Sequence, residues 1–226
     1  CIRDRDFTDV NNDATRVEVN TISAEMAKVR DYVPPYAVMA HRGSTFWAPE
    51  ETESAWRWAR EMGADYLESD LQCTKDGVIL ANHDDNLKRT TNIENVYSEL
   101  VPATRKAFYM RHGMSEAEAE KLVEADKASF RPYYAMSYMY EELLALDAGS
   151  WFNETSIEQA REAFSEQHQY ISALEDQIRY AEGKMLKRDV NGERIYTVTG
   201  TWNPDKPRDC LTYKFEYVDD PQDTCL

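Results

Sequence analysis

The sequence contains no apolar run that approaches the ~18 residues of a membrane-spanning helix, and it is poor in positive charge. Lysine and arginine number 26 against 42 aspartates and glutamates, which gives a formal net charge of -16. Because such a chain has no broad basic surface for a phosphate backbone, we expect no nucleic-acid partner. Handling a phosphate group would therefore require local positive charge, from a few Arg, Lys or His side chains or from a metal ion.

Cysteine is also scarce, and the spacing of the 4 cysteines matches neither a metal site nor a disulfide framework. Cys1 begins the chain and precedes a polar, charged segment, as in a bacterial lipoprotein that carries its lipid on the first cysteine. This interpretation predicts membrane anchoring through Cys1 and an extracytoplasmic, periplasmic or outer-membrane location. A chain simply trimmed at this point is the alternative, and it leaves a secreted or cytoplasmic protein open. The sequence does not indicate which oligomeric state the protein adopts.

The pattern of apolar residues divides the chain into a leader, residues 1–35, and one domain, residues 36–226. We expect a short helix over 21–31 in the leader, and a helical insertion over about 92–150 in the domain. The other predicted elements are a strand over 36–41, a helix over 50–62, strands over 65–73 and 77–83, helices over 155–168 and 173–183, and extended segments over 184–226. The apolar run 36–41 is typical of a strand buried on both faces in a parallel sheet.

Two acidic residues, Glu68 and Asp70, lie two positions apart in the second predicted strand. Side chains alternate faces along a strand, so both carboxylates are expected on the same face. Like charges at this spacing repel each other unless a cation lies between them, and carboxylate oxygens suit Mg²⁺ or Ca²⁺. The alternative is a pair of solvated acids on an edge strand, which is common in so acidic a chain.

Basic side chains occur where the predicted strands end. His41 and Arg42 lie where the first strand ends, Gly43 allows the backbone to turn, and His83 lies where the third strand ends. Ligands of α/β sheets bind at the carboxyl ends of the strands, so these side chains can converge. Two imidazoles can serve as base and acid around a reacting bond, and a guanidinium can hold phosphate oxygens. Together with a cation, this set predicts a site that cleaves phosphodiesters.

The segments HRG (41–43), PEET (49–52), GADYLESDLQCTKDGVILANHDDNLKRTT (63–91), LDAGSWF (146–152) and SALED (172–176) resemble the glycerophosphodiester phosphodiesterase family in their order and spacing. This family is similar to the phosphatidylinositol phospholipase C-like phosphodiesterases. The resemblance implies an α/β fold, a TIM-type (β/α) barrel with a helical insertion. It also implies cation-dependent hydrolysis of glycerophosphodiesters to glycerol 3-phosphate and an alcohol.

Residue by residue, the resemblance implies roles for the side chains of the site. His41 and His83 match the family's acid/base pair, Glu68 and Asp70 match two metal ligands, and Arg42 matches the phosphate contact. Glu50 matches a residue that we expect to position Arg42 or the metal ligands without itself binding the substrate or the metal. Glu51 departs mildly from the pattern, because it stands where the family usually has asparagine.

A larger departure lies towards the end of the sequence, where no segment resembles the strand that carries the family's third metal ligand. A full barrel takes about 250 residues, whereas the domain without its insertion has roughly 130, enough for half a barrel. We expect this chain to be the N-terminal portion of a longer phosphodiesterase. The alternative is a rebuilt fold in which Glu216 or Asp219 supplies the third ligand.

Two other functions compete with the phosphodiesterase. A phospholipase D-like lyase, acting on lysolipids or sphingomyelin, shares a similar arrangement of His, Glu, Asp and metal. The resemblance implies that those lyases lack a long helical segment after the second histidine, whereas this chain is predicted to have one. The third possibility is a non-catalytic surface lipoprotein that binds phosphate head groups.

Overall fold

The computed structural model describes residues 36–165 and 169–221. Every element given below lies within the unit formed by residues 38–226. Cys1 and the helix predicted over 21–31 lie outside the described residues.

A parallel pair of strands forms the part of the fold that resembles a barrel. It consists of β1 (Met39–His41) and β2 (Tyr66–Glu68), connected by helix α1 (Glu53–Glu61). Thr52 begins the helix, because its side-chain oxygen accepts a hydrogen bond from the Ala55 N–H. Met39 is 49% exposed, so the expectation of a strand buried on both faces is wrong. In the described residues, β1 has β2 as its single strand partner, which leaves its apolar side chains uncovered.

The second predicted strand is interrupted. It divides into β2 and β3 (Leu71–Cys73), and β3 forms an antiparallel hairpin with β4 (Ile79–Ala81). The interruption falls at Ser69 and Asp70. The Ser69 hydroxyl and the Asp70 N–H both donate to the carboxylate of Glu51, so at this point the chain bonds to a side chain instead of a neighbouring strand.

The segment predicted as an insertion is helical. It contains α2 (Ile93–Val96), α3 (Arg105–Arg111), α4 (Glu116–Ser129), a 3₁₀ turn (Ala135–Ser137) and α5 (Tyr140–Leu143). The predicted capping box begins α4, since Ser115 and Glu118 bond each other's backbone N–H groups. Tyr138 and Tyr140 are fully buried in the main core, together with residues of β4 and the C-terminal strands. Their rings therefore pack the helical segment onto the rest of the domain.

The helix predicted over 155–168 is wrong. Helix α6 (Ser150–Thr155) ends at the first residue of that range, and the described residues that follow form two 3₁₀ turns, Ile157–Gln159 and Glu162–Phe164. The side chain of Asn153 bonds both the N–H and the carbonyl of Arg161, which fixes a loop in this place. Phe164 is buried beside Phe152, so the apolar residues of the segment pack without a helix.

The C-terminal part packs against α1. It contains α7 (Leu174–Ala181), β5 (Lys184–Leu186), β6 (Tyr196–Gly200), β7 (Leu211–Phe215) and β8 (Tyr217–Asp219). Strands β5 and β8 pair antiparallel, as do β6 and β7. Arg57 of α1 binds both carboxylate oxygens of Asp220, at 2.5 and 2.7 Å.

Over residues 36–165 and 169–221, each sheet has two strands and no closed barrel forms. This mixture of helices and strands agrees with the expected α/β class and with an incomplete TIM-type barrel. None of the helices in these ranges has the length and apolar character of a transmembrane span.

Candidate active site

Three side chains that can bind a metal ion meet at the carboxyl end of the parallel pair. Strands β1 and β2 end at His41 and Glu68, which lie opposite each other in the register. The Nε2 atom of His41 is 4.0 Å from Oε2 of Glu68. With Asp70, these residues offer one ligand atom each, all within 4.8 Å of one another. No other group of three or more His, Cys, Asp or Glu side chains in the described part of the chain is this compact.

The structure brings Glu68 and Asp70 together, but not as two alternate positions of one strand. Glu68 ends β2, whereas Asp70 lies in the interruption before β3. The Asp70 carbonyl accepts a hydrogen bond from the Asn82 N–H at 2.9 Å. The residue that precedes His83 is therefore held directly against the acidic pair.

Arg42 is placed by an unusual backbone conformation. Its φ of 58° lies in the left-handed region, and the next residue, Gly43, has a φ of 88°. A Cβ on Gly43 would lie 2.6 Å from Cβ of Ala55, so only glycine fits against α1 here. The Arg42 carbonyl accepts a bond from the N–H of Glu51, which also has a positive φ of 59°. Left-handed non-glycine residues are uncommon and concentrate at functional sites.

The guanidinium of Arg42 contacts two acids of the site. Its Nε lies 3.1 Å from Oδ2 of Asp70, and its Nη1 lies 3.4 Å from Oε1 of Glu50. The backbone N–H of Arg42 donates to Oε2 of Glu68 at 3.1 Å. Arg42 therefore neutralises part of the negative charge that a cation would otherwise balance, and Glu50 contacts its guanidinium from the other side.

Glu51 lies buried beneath the acidic cluster. It is 3% exposed, and its two oxygens accept bonds from the Ser69 hydroxyl at 2.8 Å and from the Asp70 N–H at 2.9 Å. Burial raises the pKa of Glu51 to about 7, and the hydrogen bonds from Asp70 and Ser69 oppose this rise. The side chain orients the chain segment that carries Asp70.

His83 is joined to the rest of the site through two residues to which the sequence analysis assigned no role. Its Nδ1 lies 2.5 Å from Oδ1 of Asp84, and Arg89 Nε donates to the other Asp84 oxygen at 2.7 Å. Arg89 also binds both oxygens of Glu50, at 2.6 and 3.1 Å, and Glu50 contacts Arg42. Both residues fall within the segment HDDNLKRTT, whose resemblance to the family was the available signal.

These contacts determine how His83 is presented. Because a carboxylate only accepts hydrogen bonds, we infer that Nδ1 of His83 carries the proton shared with Asp84 and that Nε2 is left for another partner. Arg89, followed by His83, lowers the pKa of Asp84 to about 2, so Asp84 stays ionised over the ordinary pH range. An ionised carboxylate beside an imidazole orients it for proton transfer.

The suggested third acidic ligands are not at the site. Glu216 is bound to Lys187 at 2.7 Å, and Asp219 is 87% exposed and pairs with Lys184. Neither belongs to the cluster of potential metal ligands, so the alternative that used them is not supported. In the described residues, the side chain that lies beside Glu68 and Asp70 is the imidazole of His41.

Comparison with known proteins gives a consistent result. The profile of the glycerophosphoryl diester phosphodiesterase family matches residues 41–216. A glycerophosphodiester phosphodiesterase of Bacillus subtilis is 33% identical over 123 residues, which cover 54% of this chain and 29% of that protein. The glycerophosphodiester phosphodiesterase GDPD6 of Arabidopsis thaliana is 44% identical over 77 residues, or 34% of this chain and 20% of that one.

Among solved structures, an Oleispira antarctica phosphodiesterase in complex with sn-glycerol-3-phosphate is 24% identical. That match has a TM-score of 0.42 and covers 67% of this chain and 41% of the other. The chain spans 29% of the length of the Bacillus subtilis relative and 20% of the length of the Arabidopsis thaliana relative. The family profile, however, extends over most of the chain, from the histidine that ends β1 to the residue before β8. The chain therefore belongs to the glycerophosphoryl diester phosphodiesterase family.

Proposed function

We propose that this chain carries the catalytic centre of a phosphodiesterase that hydrolyses glycerophosphodiesters to glycerol 3-phosphate and an alcohol. One observation carries the proposal: His41, Glu68 and Asp70 offer ligand atoms within 4.8 Å of one another at the carboxyl end of the parallel strands. Membership of the family and the names of the similar proteins support this reaction class.

The residues fit a divalent cation, on which members of this family generally depend. Oδ2 of Asp70 is buried and accepts no hydrogen bond of good geometry, although Arg42 lies beside it. We assign Glu68 and Asp70 as the residues that hold the ion, and their hard oxygens suit Mg²⁺ or Ca²⁺. When bound, the ion supplies positive charge against the phosphate oxygens of the substrate.

Proton transfer is assigned to the two histidines. One imidazole takes the proton of the substrate's glycerol hydroxyl while that oxygen forms a bond to phosphorus. The other gives a proton to the departing alkoxide as its bond to phosphorus breaks, which leaves a cyclic phosphate that water opens. Asp84 keeps Nε2 of His83 available for this work, and the guanidinium of Arg42, which lies beside Asp70, is assigned to bind the phosphate oxygens.

The helical segment that follows His83 supports the phosphodiesterase over the phospholipase D-like lyase. Residues of α2 to α5 occupy the place at which those lyases are expected to lack a long insertion. Binding of phosphate head groups without turnover is an outcome that the following experiment distinguishes.

The test measures glycerol 3-phosphate release from glycerophosphocholine, with and without a chelator, and metal binding by calorimetry. We expect His41→Ala and His83→Ala to abolish release, and Glu68→Gln to abolish metal binding as well. Glu61→Gln, which removes an exposed acid of α1, is the matched control and should change neither.

Each result bears on a different part of the proposal. If both histidine variants release product at the parental rate, the enzymatic assignment is wrong. Loss of metal binding in His41→Ala would make His41 a ligand and contradict its part in proton transfer. Metal binding by the parent chain without any release would favour the head-group-binding alternative.

A further inference from the structure

A second charged cavity lies away from the candidate active site, between the tip of the β3–β4 hairpin and the helical segment. It encloses about 210 Å³ and is lined by Lys75 of the hairpin turn, Arg105, Asp126, Arg131 and Arg208. This volume equals that of about seven water molecules, which is room for a group the size of a phosphate. Asp70 precedes β3 and Lys75 lies in the turn that follows it, so the metal ligands and this cavity are at opposite ends of that strand.

The single acid that lines this cavity already has its partners. Asp126 accepts bonds from Arg105 Nη1 and the Tyr109 hydroxyl, both at 2.6 Å, and Lys75 Nζ lies 2.9 Å from its other oxygen. The remaining charge of Arg105 is balanced by Glu142. The two positive charges of Lys75 and Arg105 therefore balance the two negative charges of Asp126 and Glu142.

Arg131 and Arg208 remain as uncompensated charges on the cavity wall. Among the described residues, neither has a carboxylate within ion-pair distance, and Arg131 instead lies over the Tyr134 ring, 4.1 Å from its centroid. In a chain of net charge -16, a cavity with an excess of two positive charges is a local reversal of sign. Such a reversal attracts anions.

Both arginines are held by a fixed backbone. The Arg131 N–H donates to the Ser137 hydroxyl at 3.0 Å. The Arg208 carbonyl packs so closely on the hairpin turn that a Cβ added to Gly77 would lie 2.2 Å from it. The fold therefore sets the backbone positions of both arginines, while their exposed side chains remain accessible to a ligand from solvent.

We propose that this cavity binds a phosphate-type oxyanion, either inorganic phosphate or a phosphate monoester. A planar guanidinium donates two parallel hydrogen bonds to phosphate oxygens, and Arg131 and Arg208 offer two such forks. Arg208 also lines an adjoining groove of about 400 Å³, whose walls are mostly apolar, as at Val78 and Phe215, but include the acids Asp76 and Glu175. The anion could thus be free phosphate or the head of a molecule with an apolar tail, and the test separates these sources.

The test is an NMR titration of the whole chain, at constant ionic strength and in the presence of a chelator. Its three ligands are inorganic phosphate, glycerol 3-phosphate and a lysophosphatidic acid below its micelle concentration. We expect shifts of the Nε–H signals of Arg131 and Arg208 and of the Ser137 amide. Arg131→Gln/Arg208→Gln should raise the apparent Kd for phosphate at least tenfold, whereas Lys206→Gln should change it less than twofold. Lys206 is a matched control because it is exposed in the same loop and lies outside the cavity lining.

Additional shifts at Val78 and Phe215 with the lysophosphatidic acid would identify a lipid head group, and their absence would identify a free phosphate or small monoester. The proposal is overturned if phosphate perturbs only the loop at Gly43, or if Lys206→Gln weakens binding as much as the double variant. Among the described residues the Arg208 side chain makes no ion pair, so Arg208→Gln alone should leave the amide spectrum with the parental dispersion. Because the titration needs no turnover, it stands or fails independently of the phosphodiesterase activity.

Discussion

Arg105 is the centre of a buried ion cluster, and its replacement gives the sharpest test of how the helical segment is held. Its side chain is 1% exposed. It donates to Glu142 at 2.7 and 2.9 Å, to Asp126 at 2.6 Å and to the Ser137 carbonyl at 2.8 Å. All of its donor nitrogens are therefore occupied by partners that are themselves buried.

Methionine at this position keeps most of the apolar stem but leaves the carboxylates without their main cation. Removing one partner of a buried ion pair costs about 3–5 kcal/mol, because the remaining charge is uncompensated. Lys75 and the Tyr109 hydroxyl still serve Asp126, so most of the loss should come from Glu142. A loss of this size is a large part of the 5–15 kcal/mol that stabilises an ordinary domain.

Urea unfolding, followed by tryptophan fluorescence, measures the effect, because buried Trp202 packs against Tyr109, which lies in α3 together with Arg105. The matched control is Lys106→Met, which removes the neighbouring cation and its two surface ion pairs. We expect a far smaller change for the control, since exposed ion pairs contribute little. The double variant Arg105→Met/Glu142→Gln should recover part of the lost stability. Equal unfolding midpoints for Arg105→Met and Lys106→Met would refute the reasoning.

Three further predictions concern the site. In chelator, Glu51 should contribute a loss of about 3 kcal/mol of stability as pH rises from 4.5 to about 7, because its raised pKa means that the folded state binds the extra proton. Glu51→Gln should remove this dependence of the urea unfolding midpoint on pH. An unchanged dependence in the variant would contradict the assignment to Glu51. Gly43→Ala should destabilise the fold by at least about 1–3 kcal/mol through its clash with Ala55. Gly63→Ala shares the positive φ but meets open space, so an equally large loss there would show that the clash is unimportant. Mg²⁺ should raise the unfolding midpoint of the parent chain but not that of Asp70→Asn, and stabilisation of both would disprove that Asp70 holds the ion.

Local patterns in the sequence were enough to predict several elements and the side chains at their ends. The apolar run before His41 predicted β1, and the spacing of Ser115 and Glu118 predicted the capping box that begins α4. These features depend on neighbours a few positions apart, which is why the sequence reveals them. The same logic failed over 155–168, where Asn153 bonds the backbone across a loop.

The order of motifs also placed the candidate residues near one another. His41 and Glu68 end adjacent parallel strands, so their proximity follows once the strands pair in register. What no pattern could indicate is the interruption at Ser69 and Asp70, because it depends on the buried carboxylate of Glu51.

Long-range partners were decided by the tertiary structure alone. The pairing of Arg89 with Glu50 joins residues 39 positions apart, and the contact of Arg57 with Asp220 joins residues 163 apart. Charge counts in the sequence cannot say which of 26 cations meets which of 42 acids, because Coulomb energies depend on distances in space. The sequence by itself therefore determined which chemical groups end the strands. Folding decided which charges are compensated and which, like Arg131 and Arg208, remain open to a ligand.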